Sequence, residues 1–113
     1  MKKLYYIEEE VFLRDLVEAL CRAEDALEAH TTEDGSDNLY FFNDLSPDFI
    51  LVDWSTVEPY QEKLLLDLAE VSQIPVGVTR LPGQSLPQQW MDRAQLILDK
   101  PLEAKSILKK IFS

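Results

Sequence analysis

Cysteine occurs once in the 113 residues, at Cys21. No intrachain disulfide can form, and no cysteine pair can hold a metal or run a dithiol redox cycle, so a reducing compartment is expected. Histidine also occurs once, at His30, which leaves no second imidazole for a metal site or a phosphotransfer pair. Long apolar runs are missing. Leu4 to Ile7 follows two lysines but is too short for a signal-peptide core, and it meets Glu8, Glu9 and Glu10 at once. Nothing approaches the ~18 apolar residues of a membrane span. Neither secretion nor membrane insertion is expected, and the chain reads as cytoplasmic. Positive charge is scarce: 11 Lys and Arg face 21 Asp and Glu, for a net charge of −10 at pH 7. The basic residues form no stripe, and long-range repulsion argues against nucleic-acid binding. No glycine-rich loop follows an apolar run, which removes the usual cradle for a nucleotide phosphate.

What is present is an alternation. In "SPDFILVDW" the run Phe49 to Asp53 is the clearest strand. Four consecutive apolar residues need burial on both faces, yet the run ends in a carboxylate followed by Trp54. Leu4 to Ile7, Ile74 to Thr79 and Leu96 to Leu98 are similar runs, and Ala29 to Thr32 is a weaker one before the turn Glu33-Asp34-Gly35. Between them the period changes. Leu13, Leu16, Val17, Leu20 and Cys21 recur at helical spacing, predicting a helix from Val11 to about Ala26 with Cys21 in the core. Ser36 suits the N-cap of a short second helix with Leu39, Phe42 and Leu45 inward. Pro59 opens a third, with Leu64, Leu65, Leu68 and Ala69 inward. The fourth, within "LPGQSLPQQWMDR", carries two prolines and a glycine and has room for only about two turns. Ala104, Ile107, Leu108, Ile111 and Phe112 line the fifth. Continuous apolar strands between amphipathic helices imply an α/β fold, a doubly wound parallel sheet covered on both faces. One domain over residues 1–113 is expected, with no room for an output domain after the last helix.

In such sheets function collects at the carboxyl ends of the strands. Glu8 and Glu9 end the first strand, Asp53 the central one and Thr79 the fourth, and Lys100 follows the fifth and precedes Pro101. Clustered carboxylates repel one another unless a cation sits among them, and a hard cation such as Mg²⁺ prefers oxygen ligands. A carboxylate can attack a phosphoryl group, and a lysine and a hydroxyl can stabilise its equatorial oxygens. The blander reading is an ordinary strand-end ion pair between Asp53 and Lys100.

The pattern resembles the receiver domain of two-component response regulators over essentially the whole chain. "LYYIEEE" is similar to the first strand with its acidic pair, and "PDFILVDW" to the strand bearing the phosphoryl-accepting aspartate. "IPVGVT" is similar to the strand ending in Ser or Thr, "LILDKP" to the strand ending in Lys-Pro, and "EDG" to the turn before the second helix. The resemblance implies a flavodoxin-like sheet of order 2-1-3-4-5 and a cis Lys100–Pro101 bond. It implies Asp53 as phosphoacceptor, Thr79 and Lys100 on the phosphoryl group, and Glu8, Glu9 and Asp53 around Mg²⁺. It further implies a sensor histidine kinase or phosphotransfer protein as donor. Output would be a protein partner docking on the face of the fourth helix, fifth strand and fifth helix. The chain would be a monomer or weak homodimer, its only chemistry its own phosphorylation and aspartyl-phosphate hydrolysis.

Departures from the pattern keep a second reading open, a pseudo-receiver that serves as an interaction module without phosphorylation. Glu9 replaces the usual Asp, Arg80 the usual small residue after the Thr, and Ile97 the usual switching Tyr or Phe. "STVEPYQ" lacks the glycine turn, and "DRAQ" replaces the usual Gly-Ala. An outward Arg80 is expected of a working receiver, an inward one of a pseudo-receiver. Trp54, Trp90 and Met91 are expected to cover the sheet edge; alternatively Leu81, Leu86, Trp90 and Met91 form a partner surface. A metabolic enzyme on the same sheet lacks its nucleotide loop, and a haloacid-dehalogenase-type phosphatase would want Asp where Ser55 stands.

Overall fold

Each apolar run predicted as a strand forms one, and all five pair in parallel. The computed structural model describes residues 1–35, 44–57 and 59–112, the side chains of 59–64 excepted. The elements are β1 (Lys2–Ile7), α1 (Val11–Arg22), β2 (Leu27–Thr32), β3 (Phe49–Asp53), α2 (Pro59–Ser72), β4 (Val76–Arg80), α3 (Gln88–Arg93), β5 (Leu96–Asp99) and α4 (Ile107–Phe112). The sheet order is β2-β1-β3-β4-β5, the flavodoxin-like order expected. The predicted helix from Ser36, with Leu39 and Phe42, lies outside the described residues, as does the side chain of Leu64.

Alternation along the strands divides the core in two. Tyr5, Ile7, Ile50, Val52, Val76 and Val78 face Leu65, Leu66, Ala69 and Trp90 of α2 and α3. Leu4, Tyr6, Phe49 and Leu51 face Val17 and Cys21 of α1 and Ile107 and Ile111 of α4. Cys21 is a core residue, and burial pushes its thiol pKa up. Gly77 lets this second layer close: a Cβ there would stand 2.9 Å from the ring of Phe49. Phe49 in turn meets Phe112 edge to face.

Several boundaries differ from expectation for identifiable reasons. α1 stops at Arg22 because Glu24 N–H turns back to the Cys21 carbonyl and Leu27 already pairs with Lys2, so β2 starts two residues early. α2 buries Leu66 as well as Leu65 and Ala69, leaving Leu68 half-buried. It ends in a Schellman closure: Ile74 N–H donates to Ala69 O and Gln73 N–H to Glu70 O, with Gln73 at a positive φ of 57°. α4 starts only at Ile107, so Ala104 lies in an exposed turn. α3 is short, as its prolines require, and begins directly after Pro87. Among the described residues no helix is long and apolar enough to cross a membrane.

Candidate functional site at the carboxyl edge of the sheet

Strand register brings the polar ends together. Asp53 pairs with Thr79 across β3 and β4, and Trp54 N–H continues that ladder onto the Thr79 carbonyl. Ile7 pairs with Val52, so Glu8 leaves β1 beside Asp53. Lys100 leaves β5 with its N–H on the Arg80 carbonyl, and its peptide bond to Pro101 is cis.

The Lys100 ammonium sits between two buried carboxylates, 2.8 Å from Glu8 Oε1 and 2.9 Å from Asp53 Oδ1. Glu8 is 0% and Asp53 2% exposed. Thr79 Oγ1 donates to the same Asp53 Oδ1 at 3.2 Å, and Thr56 Oγ1 donates to Oδ2 at 2.8 Å. Glu8 is equally engaged: the Tyr6 hydroxyl donates to Oε1 at 3.1 Å and the Glu10 N–H to Oε2 at 3.2 Å. Arg14 steadies the loop by donating to the Glu8 and Glu9 carbonyls. Burial acts first on both titratable partners. It pushes the Tyr6 hydroxyl far up, and the neighbouring Glu8 charge and hydrogen bond add to that. For Lys100 burial pulls the pKa down, but the hydrogen bonds to Glu8 and Asp53 and their charges outweigh it and hold the ammonium above the ordinary lysine range. The three charges thus stand at two negative and one positive, with the positive one centred.

Glu9 departs from the expected arrangement. Glu8 is buried just past the end of β1, whereas Glu9 lies in the following bend with its carboxylate exposed. Only its N–H joins the site, donating to Thr56 Oγ1 at 3.0 Å. Glu8, Glu9 and Asp53 therefore do not assemble as the three-carboxylate Mg²⁺ set expected. Among the described residues no three His, Cys, Asp or Glu side chains stand together so as to hold a metal ion. As arranged, the edge does not fit Mg²⁺, which needs several free oxygens in near-octahedral positions.

Arg80 is turned away from Asp53. Its Nε donates to Asp99 Oδ1 at 2.8 Å, and its guanidinium reaches the Gln84 carbonyl. Trp54 packs edge to face on Trp90, ring centroids 5.6 Å apart, and Ile97 packs against the same cluster. Trp90 and Leu86 are buried, so of the expected partner surface only Leu81 and Met91 are exposed, at 53% and 48%. His30 lies on β2, 3.4 Å from Glu28, away from the edge. Thr56 and Tyr6 escaped sequence reasoning. Tyr6 carried a signal, its two-residue spacing from Glu8 at the end of β1; Thr56 sits in a turn with no periodicity to mark it.

No protein-family model matches the chain, and no curated protein matches it. Solved structures do match. A CheY-like receiver domain protein from Methanospirillum hungatei superposes with a TM-score of 0.80 at 13% identity, covering 97% of this chain and 90% of that one. A CheY-like receiver domain from Methylobacillus flagellatus gives 0.73 at 13% identity over 95% and 92%. NtrX from Brucella abortus gives 0.76 at 22% identity, covering 96% of this chain but 25% of the longer protein. With the strand order, the covering helices and these superpositions in hand, the chain has the fold of the response-regulator receiver domain.

Proposed function

We propose that the protein acts as a receiver-type signalling module that accepts a phosphoryl group on Asp53. The observation that carries this reading is the convergence of the Lys100 ammonium and the Thr79 hydroxyl on one oxygen of a buried aspartate. An Asp53 oxygen attacks the donor phosphorus in line, the new O–P bond forms as the donor's P–N bond breaks, and the imidazole leaves with a proton. Lys100 then moves from the carboxylate to the transferred group's equatorial oxygens, and Thr79 follows. Arg80, held by Asp99, supports the working form over one in which an inward arginine neutralises Asp53. The donor is a sensor histidine kinase or phosphotransfer protein. Output is a cytoplasmic protein contact over α3, β5 and α4, where Met91 is exposed and Leu81, just after β4, adds a second exposed apolar residue, made as a monomer or weak homodimer.

A second reading is favoured by one observation. Both oxygens of Asp53 are already hydrogen-bonded and the expected metal set does not assemble, as suits a pseudo-receiver that keeps the edge locked. Incubation with acetyl phosphate, with and without Mg²⁺, read by intact mass, separates the two. The first reading expects one added phosphoryl group on the wild type and none on Asp53→Asn. An unmodified wild type under both conditions selects the second.

A further inference from the structure

α1 buries one apolar face and leaves a second in water. Leu13, Val17 and Cys21 are its buried residues. Val11 and Phe12, in the first turn, are 60% and 72% exposed, and Phe12 is the one exposed aromatic among the described residues. It does not stand alone. Leu16 is half-buried, and Ala19 and Ala23 are exposed. Phe12, Leu16, Ala19 and Ala23 follow one another at steps of four, three and four, the spacing of a helix-pairing seam. The two alanines allow a second helix to come close. At its far end the seam meets a groove of about 430 Å³ between α1 and α4, walled by Leu20, Ala23, Leu27, Leu108 and Phe112. Charge is sorted along the same helix. Glu9, Glu10 and Asp15 are exposed at its start, where the Arg14 guanidinium is engaged by the Glu8 and Glu9 carbonyls. At its end Arg22, Lys105 and Lys109 outnumber Glu24 and Asp25.

We infer that this face of α1 is where two copies of the chain meet, antiparallel, about a two-fold axis beside the middle of the helix. The contact is isologous, so every pairing occurs twice. The two-fold sets Phe12 of one copy over Ala23 of the other, at the mouth of the groove, and Leu16 over Ala19. Asp15 and Arg22 are two turns apart on one flank of the seam, and the same register brings Asp15 to Arg22 of the second copy. A second copy is the occupant because the helix carries both complements, an acidic apolar start and a basic grooved end. Only the antiparallel order matches them; a parallel pair would set like charge on like. The net charge of −10 on each copy opposes association at long range and keeps the dimer weak.

This contact needs neither Asp53 nor its phosphorylation, so it stands or falls apart from the proposed function. The full chain is followed by sedimentation velocity from about 1 μM to about 1 mM, a span that captures a weak dimer. The mean mass of the wild type is expected to rise towards that of two chains. Phe12→Glu is expected to stay monomeric, with circular dichroism confirming its fold; Ala19→Glu, in the middle of the seam, takes its place should it fail to fold. Asp15→Arg and Arg22→Asp each turn both symmetry-related pairs repulsive and should weaken the dimer about tenfold. The double variant Asp15→Arg/Arg22→Asp restores the pairs in reverse and should recover the wild-type mass. A wild type that is monomeric throughout overturns the proposal and leaves the face to a different protein. So does a folded Phe12→Glu or Ala19→Glu that associates like wild type, or a double reversal no tighter than the single ones. An unmodified wild type in the acetyl phosphate experiment leaves these outcomes unchanged.

Discussion

Lys100 compensates two charges with one. Glu8 and Asp53 lie almost wholly out of water, and their ammonium partner is 2.8 and 2.9 Å away. A buried ion pair adds little net stability over an apolar replacement, but removing one partner strands the other in a medium that solvates it poorly. Here removal strands two. Lys100→Met is expected to cost about 3–5 kcal/mol in urea unfolding. A loss below about 1 kcal/mol would mean that water screens the cluster as it does a surface pair. That Glu8, Asp53, Thr79 and Lys100 meet was legible in the sequence, because each closes an apolar run and parallel strands end on one side. Glu8 and Glu9 are adjacent, of one type and both past the end of a strand buried on both faces, so no periodicity tells the buried one from the exposed one. Thr56 was not legible, because a turn places its hydroxyl by geometry that no spacing records.

Between residue and molecule, the strands were easier to read than the helices. A strand buried on both faces declares itself as an unbroken apolar run, and β3 matches its predicted span, Phe49 to Asp53. Helix ends depend on caps and on the next element's register, which is why α1 stops short once Leu27 pairs with Lys2. The end of α2 illustrates a correctable mismatch. Its Schellman closure needs a left-handed residue, and Gln73 takes that conformation at φ 57° although it bears a Cβ. Left-handed backbone costs an L-residue roughly 1–2 kcal/mol, a cost glycine escapes, although glycine loses more entropy on folding. Gln73→Gly is therefore expected to raise stability by about 0.5–1 kcal/mol, seen as a higher urea midpoint with an unchanged slope. A lower midpoint would show that the Gln73 side chain contributes more than its backbone costs.

At the scale of the whole molecule, Tyr6 and Lys100 make stability sensitive to alkali. Both hold their protons more tightly when folded than when unfolded. The contribution of each is complete below its unfolded pKa, about 10 for tyrosine and about 10.4 for lysine, and is lost as pH rises through the folded value. The buried Cys21 thiol acts the same way from its unfolded pKa of about 8.5, so urea midpoints are expected to be level in this respect up to about pH 8 and to fall above it, more steeply above about pH 10. Lys100→Met should show a shallower fall, with Tyr6 and Cys21 left as contributors, and an equal fall would remove Lys100 from the account. The contact between Trp54 and Trp90 bears on the molecule in another way. These are the only two indoles in the chain, and they touch edge to face immediately after Asp53. All indole emission from the protein therefore originates at one spot, and the paired rings share one chiral environment. The chain carries a single optical probe, built into the edge of the sheet and needing no label.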